Sequence, residues 1–528
     1  MKLFFTNSLL PRLALAALIV AGAGGCTKEF LDENNNPNQP LTASPDVLLT
    51  GIEATTGFTV GNDIGRVTEL LVQHTAGIAN QPAAYDSYSL RGSFDNQWNG
   101  ELYGGSLINT RLLIDQNQAT NPVYAGVGKL LRAYNFALTT DLWGDVPYSQ
   151  ATLGEANRSP RFDKQEDIYQ GNSSLQIQSL FDLVRDGLKD LRNKQNLRLP
   201  AGDDLAYRGD TIRWRRFGNT LLLKLANTVS VKNPALARQV INEVLAKGPS
   251  AVMRGNTDDF EIPFGTTVGN QNPFFAYNRV NRPDDQMMSR RFLDSLRFDK
   301  VIVTGSGTTI RRDTVFRNDP RLPLFWTATP RNASAAKTPF GFFTGYDNAS
   351  GAAAPTRNPR TGVNNRSQYN TYVVGTQGEA PVRIMTNFQR AFILAESAIT
   401  LGTAGNPQAL FQEGIRASMT KAGVSAADIT AYFAANPTAV TLTGTDAQKV
   451  SKIILQKWIA FTGNGYEAFN DYRRTGYPNL ALVTFPSQDS PISIPRRLFY
   501  PNSEISANTG KVPTPAPNVT VPVWWATR

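Results

Sequence analysis

The chain has 528 residues, 53 Lys and Arg against 43 Asp and Glu, a formal net charge of +10, one histidine and one cysteine. A single cysteine forbids an intramolecular disulfide, and a single histidine, His74, excludes histidine-rich zinc sites and leaves any Ser-His-Asp triad to that residue alone. Only 18% of residues are charged, with no long basic run and neither a GxxxxGK[ST] nor a strand-GxGxxG loop, so the composition argues against nucleic-acid and nucleotide partners.

In chain order, residues 1–25 place Lys2 and Arg12 ahead of an apolar core at 13–20 and then run through small residues into Cys26, the shape of a secretory signal. The apolar stretch falls short of the roughly 20 residues a membrane-spanning helix needs. The AGGC run at 23–26 resembles a bacterial lipobox, cut before the cysteine and lipidated on its thiol, with Ala23 where Leu is preferred. Lipidation is therefore expected at Cys26, and 26–45 is expected to be a lipidated, flexible stalk, since DENNNPNQP at 32–40 is polar and broken by proline. Acyl chains tether a protein without making it span.

Helical periodicity dominates the body. Val127, Leu130, Leu131, Tyr134 and Leu138 form one stripe of a helix over 124–143 that should stop at Gly144 and Pro147. Ile177, Leu180, Phe181, Val184, Leu188 and Leu191 predict a second helix, and Trp214, Phe217, Leu221 and Leu225 a third. The LLVQHTAG run at 70–77 reads as amphipathic helix, with His74 a structural histidine. Over 255–381 Asn, Gly, Pro, Arg, Thr and aromatics crowd together, which predicts long functional loops interrupted by a helix at 285–296. Helices resume at Val382. Phe388, Phe392, Ala395 and Ile399 share a face, 401–407 turns the chain, and Phe411, Ile415 and Met419 face back, a pair that resembles a tetratricopeptide unit. One more helix carries Val450, Ile453, Ile454, Trp458 and Phe461 before an extended, proline-rich C-terminal segment, 476–528.

Three runs carry a family resemblance. They are LTTDLWGDVPY at 138–148, NGYEAFNDYRRTGYP at 464–478, and IPRRLFYPNSE at 494–504 with Asn508. Together they resemble the SusD/RagB family of outer-membrane nutrient-binding lipoproteins, and its SusD-like subgroup in particular. Weaker echoes lie at 207–214 and 391–396. Read as plain chemistry, Tyr466, Phe469 and Tyr472 can pack inward while Glu467, Asp471, Arg473 and Arg474, joined by Arg496 and Arg497, form charge-assisted pairs that lock a helix end to its turn. Catalysis would need those carboxylates in a cleft with shifted pKa values, whereas a structural lattice needs only proximity, and the structural reading is preferred.

The resemblance implies a mainly α fold in which tetratricopeptide-like helical pairs form a right-handed superhelical scaffold. The scaffold would cover 46–254 and 382–475 of a single body, 46–528, with an irregular loop-rich part of few short strands, 255–381, packed against it. It also implies a non-catalytic, cell-surface role with no cofactor: capture of a glycan or a peptide and delivery to a SusC-like TonB-dependent outer-membrane transporter. A surface glycosidase using two facing carboxylates, and a scaffold that binds no nutrient, are the rival classes.

Sugar rings offer apolar faces and hydroxyls, so a glycan site pairs aromatic planes with amide, carboxylate or guanidinium groups. Three loop clusters have that composition: Tyr85, Tyr88, Arg91 and Trp98; Phe275, Tyr277 and Arg282 near Asn272 and Asn281; and Trp326, Phe340, Phe343 and Tyr346. Aspartate pairs at 203–204, 258–259 and 284–285 offer oxygen ligands without EF-hand spacing and are read as solvated turns, so no metal site is expected.

Overall fold

The computed structural model describes residues 43–304, 311–330, 336–338, 341–356 and 363–526. Residues 1–25, Cys26, most of the stalk and Phe340 lie outside the described residues.

The main helices are α1 (Pro45–Gly61), α2 (Asp63–Leu71), α3 (Ile108–Asn117), α4 (Pro122–Trp143), α5 (Leu180–Asp190), α6 (Thr211–Val229), α7 (Pro234–Leu245), α8 (Asn387–Thr400), α9 (Pro407–Ala422), α10 (Asp446–Ala460) and α11 (Gly465–Thr475). Their ends follow local chemistry. Proline occupies the first turn of α1, α4, α7 and α9, where no backbone donor is lost. Ser179 caps α5, Asp210 caps α6, and Thr445 with Gln448 closes a capping box on α10. α4 stops at Gly144, whose φ of 80° suits glycine.

Consecutive helices pack in pairs, α4 with α5, α6 with α7 and α8 with α9. The α4–α5 crossing has no room for side chains: a Cβ on Gly126 would lie 2.9 Å from the Gly187 carbonyl oxygen, and one on Gly187 2.9 Å from that of Gly126. A Cβ on Gly414 of α9 would likewise lie 2.7 Å from the Phe392 ring of α8. The fold is thus mainly helical, with small residues at the crossings.

Among the described residues the strands pair in twos, all antiparallel, and apart from one longer hairpin they are short: Thr75–Gly77 with Gln286–Met288, Val146–Pro147 with Phe162–Asp163, Phe260–Ile262 with Val382–Met385, Arg297–Thr304 with Arg311–Asn318, and Ala336–Thr338 with Gly341–Phe343. Three helix expectations are corrected here. The helix expected through 70–77 ends at Leu71, and Thr75–Gly77 becomes a strand because it pairs with Gln286–Met288, a partner about two hundred residues away. That same pairing turns the start of the expected 285–296 helix into strand and leaves helix only over Arg290–Ser295. Val382–Met385 is strand against Phe260–Ile262, so helix resumes at Asn387.

Candidate functional site

The three runs that carry the resemblance meet inside the scaffold. Asp141, on the last turn of α4, is fully buried and accepts hydrogen bonds from Tyr169 Oη at 2.7 Å, Tyr466 Oη at 2.8 Å, Asn470 Nδ2 at 2.9 Å and Trp525 Nε1 at 2.8 Å. Lys224 Nζ of α6 stands 3.4 Å away. From α11, Arg474 pairs with Glu396 of α8 and with Asp471 at 2.9 Å, Lys457 of α10 reaches Asp471 at 2.9 Å, and Arg473 donates to the Asp141 carbonyl and, at 3.0 Å, to that of Arg496. Arg497 donates to the Trp143 carbonyl. Burial pushes Glu467 up to about 7, against the pull of Lys224 and Lys457. Burial also raises Asp471, but Lys457 and Arg474 more than offset it and hold that carboxyl below its usual range. These groups touch one another and not solvent, so the lattice holds α4, α6, α8, α10, α11 and the C-terminal segment together.

The structure separates the ten candidate ligand residues. Tyr85, Tyr88, Trp98, Trp326 and Phe343 are core residues. Tyr85 donates to Asp63 at 3.0 Å and stacks on Phe94, Trp98 donates to Glu504 at 3.2 Å and meets Trp143 edge-on, and Trp326 stacks on Tyr369 with centroids 4.7 Å apart. Their ring faces are spent on packing rather than open to a ligand. Phe275 and Tyr277 are half-buried. The Arg66 guanidinium covers the Tyr277 ring at 3.9 Å and Asp285 accepts its hydroxyl at 3.2 Å. Arg282 is exposed, as is Arg91, which reaches Asp489 at 3.3 Å and lies over Phe499.

Tyr346 lines a cleft. This opening of about 440 Å³ in the irregular part is walled by Arg290, Thr344, Tyr346, Asp347, Thr356 and Asn365. The Tyr346 backbone accepts from Arg290 N at 2.9 Å, and its hydroxyl donates to the Ala352 carbonyl at 2.7 Å, which pins the ring against the wall. Among the described residues the Arg290 side chain has no carboxylate partner. Phe485, 62% exposed, flanks the rim, its backbone N bonded to the Ala349 carbonyl and its ring against Gly351. Sequence reasoning missed Arg290, Asp347, Asn365 and Phe485. Asp347 adjoins Tyr346 and was within reach of the argument, whereas Phe485 sits in a proline-rich run with no pattern to mark it.

A second, polar cleft of about 630 Å³ opens beside the start of α6, lined by Asp210, Arg213, Arg216, Asp258, Glu261 and Glu379 among others. Asp259 at its base is pushed up to about 7 by burial, yet Lys421 bridges it at 3.0 Å to Glu261 at 2.8 Å, and Arg216 holds Asp258 at 2.9 Å. These carboxylates are engaged as ion pairs. The other aspartates of the paired runs are engaged too: Asp203 by Tyr124, Asp204 by Trp214, Asp284 by Arg366 and Asp285 by Asn80. Among the described residues no group of three His, Cys, Asp or Glu could hold a metal ion. His74 is buried with Nδ1 3.0 Å from Glu69 and Nε2 2.9 Å from the Trp458 carbonyl, a satisfied structural position.

Paired helices that support an irregular face, with a cleft walled by an aromatic ring, a guanidinium and amides, define a scaffolded binding protein. The chain belongs to the SusD-like family: the family model described as "Starch-binding associating with outer membrane" matches residues 37–501. Solved structures agree in fold. A chitin-binding SusD homologue from Flavobacterium johnsoniae is 21% identical with a TM-score of 0.69, the match covering 91% of this chain and 98% of that one. SusD homologues from Bacteroides uniformis and Bacteroides fragilis are 21% and 23% identical with TM-scores of 0.69 and 0.67, covering 91% and 92% of this chain and 99% of each of theirs. No curated protein matches the chain in sequence. Among the described residues no helix is long and apolar enough to cross a membrane.

Proposed function

We propose that this chain is a cell-surface lipoprotein, lipidated at Cys26, that captures a glycan without cleaving it and passes it to a SusC-like TonB-dependent outer-membrane transporter. The observation that carries the binding step is the cleft of Tyr346 and Arg290: a fixed ring wall, a guanidinium with no carboxylate partner among the described residues, and Asp347 and Asn365 to meet hydroxyls. The starch-binding character of the family supports a glycan as cargo, and the chitin-binding Flavobacterium relative puts chitin oligosaccharides first among those to test.

Calorimetric titration with chito-, malto- and xylo-oligosaccharides tests it. Binding of one class that is lost in Tyr346→Ala and Arg290→Ala is the expected result; binding that survives both moves the site elsewhere. A peptide cargo is the second reading, favoured by the cleft beside α6, where Arg213 and Glu379 supply a charge of each sign outside the ion pairs of the described residues. Peptide binding lost on Glu379→Gln would establish that reading instead.

A further inference from the structure

One end of the body carries exposed apolar side chains where most of the surface is polar. Leu197 is 85% exposed, Val47 62%, Leu199 55% and Ile212 52%. Single exposed leucines are ordinary, but these four belong to one piece of surface. Asp46, beside Val47 on α1, pairs with Arg198 at 3.1 Å between the two leucines. Gly209, next to the Asp210 cap of α6, lies so close to Pro200 that a Cβ on it would meet the proline carbonyl oxygen at 2.1 Å, which brings Ile212 to the same end. Cations lie on the segments that carry the patch, beside Asp46 and Asp210. Arg192, Lys194, Arg198 and Arg208 are all exposed, and among the described residues Arg192 and Lys194 have no ion-pair partner.

The same end is where the described chain begins, at residue 43. The run from Cys26 to there is about 17 residues, a reach of about 23 Å as a flexible coil and at most about 60 Å fully extended. Asp46 and Val47 follow residue 43 within the first turn of α1, and the patch lies at the N-terminal end of α4, where Leu197 N bonds the Thr120 carbonyl. At the other end of α4, about 33 Å away at 1.5 Å per residue, Leu142 and Trp143 bond residues 498 and 499.

We propose that the Val47–Leu197–Leu199–Ile212 surface rests on the lipid bilayer, apolar side chains at the acyl boundary and Arg192, Lys194 and Arg208 against headgroup phosphates. Apolar residues flanked by unpaired cations are the chemistry of an interfacial contact, and short tethering brings this face to the membrane first. The contact would fix which way the body stands on its anchor. It rests on the lipidation of Cys26.

Because Cys26 is the only cysteine and its thiol is acylated in the mature protein, Leu197→Cys introduces a unique label site. The acylated protein, labelled there with a polarity-sensitive fluorophore, is placed in vesicles of phosphatidylcholine and phosphatidylglycerol with brominated acyl chains. Ile492→Cys, equally exposed at 85%, serves as the comparison, since residues 494–499 lie toward the far end of α4. The expected result is a blue shift and bromine quenching at position 197 and neither at 492. A second check places the label at Val47→Cys in a Leu197→Ser, Leu199→Ser background, where the shift should be lost. Protein that floats with the vesicles while the 197 label stays aqueous overturns this proposal and leaves the anchor intact. Protein that does not float overturns the anchor and this contact together.

Discussion

Around Asp141 and around Tyr346 the chain uses the same materials, aromatic rings beside arginines and carboxylates, for opposite ends. At Asp141 the Tyr169 and Tyr466 hydroxyls and the Trp525 indole converge on one buried carboxylate and Arg473 on its backbone carbonyl, and segments from both halves of the chain supply them. At Tyr346 the ring is pinned by its own loop, and the arginine beside it is left for solvent or a ligand. Removing water makes polar groups satisfy one another and so specifies a scaffold; leaving water in keeps them available. The difference is where the residues sit, not which residues they are.

That contrast can be broken at either end. The largest effect is expected for Asp141→Ala, which removes the acceptor of Tyr169, Tyr466, Asn470 and Trp525 and a counter-charge of Lys224. Loss of one partner of a buried charged network should cost about 3–5 kcal/mol, read as a fall in the urea midpoint. Trp326→Ala should follow, at about 3 kcal/mol for a buried ring removed from its stack on Tyr369, and should leave the ligand affinity per folded molecule unchanged.

Smaller in size and sharper in meaning is Glu467→Gln. Burial raises the folded pKa of Glu467 to about 7 from an ordinary value near 4.5, so the folded state holds this proton more tightly than the unfolded chain. Its contribution to stability is therefore complete below about pH 4.5 and is lost as pH rises through 7. The amide cannot titrate, so the stability of Glu467→Gln relative to the native protein should improve between about pH 5 and pH 8, measured by urea unfolding at each pH; an unchanged difference would show that the carboxyl is not burdened by burial. The smallest effect on stability belongs to Tyr346→Ala, within about 0.5 kcal/mol, as for other surface changes. Its affinity for the proposed ligand should nonetheless fall at least about tenfold, or about 1.4 kcal/mol. A tyrosine variant that unfolds the protein, or a tryptophan variant that abolishes binding without unfolding it, would reverse the assignment of the two regions.

How much of this was legible beforehand depended on the range of the interaction. Periodicity and stop signals place α4, α6, α9 and α10 and the turn between α8 and α9, because the residues that decide a helix and its caps lie within one or two turns of each other. The charged run of α11 announced a lattice, since carboxylates and arginines at three-residue spacing on one helix pair wherever that helix lies, as Asp471 and Arg474 do. Tertiary structure alone decided which strands exist, because Thr75–Gly77 is extended only through its partner near 287. It also decided which aromatics face water. Tyr88 is sealed beneath Val483, 395 residues on, while Phe485, two residues further, is left exposed at a cleft rim. A side chain's helix is set by its neighbours in sequence; its contact with water is set by whatever distant segment packs over it.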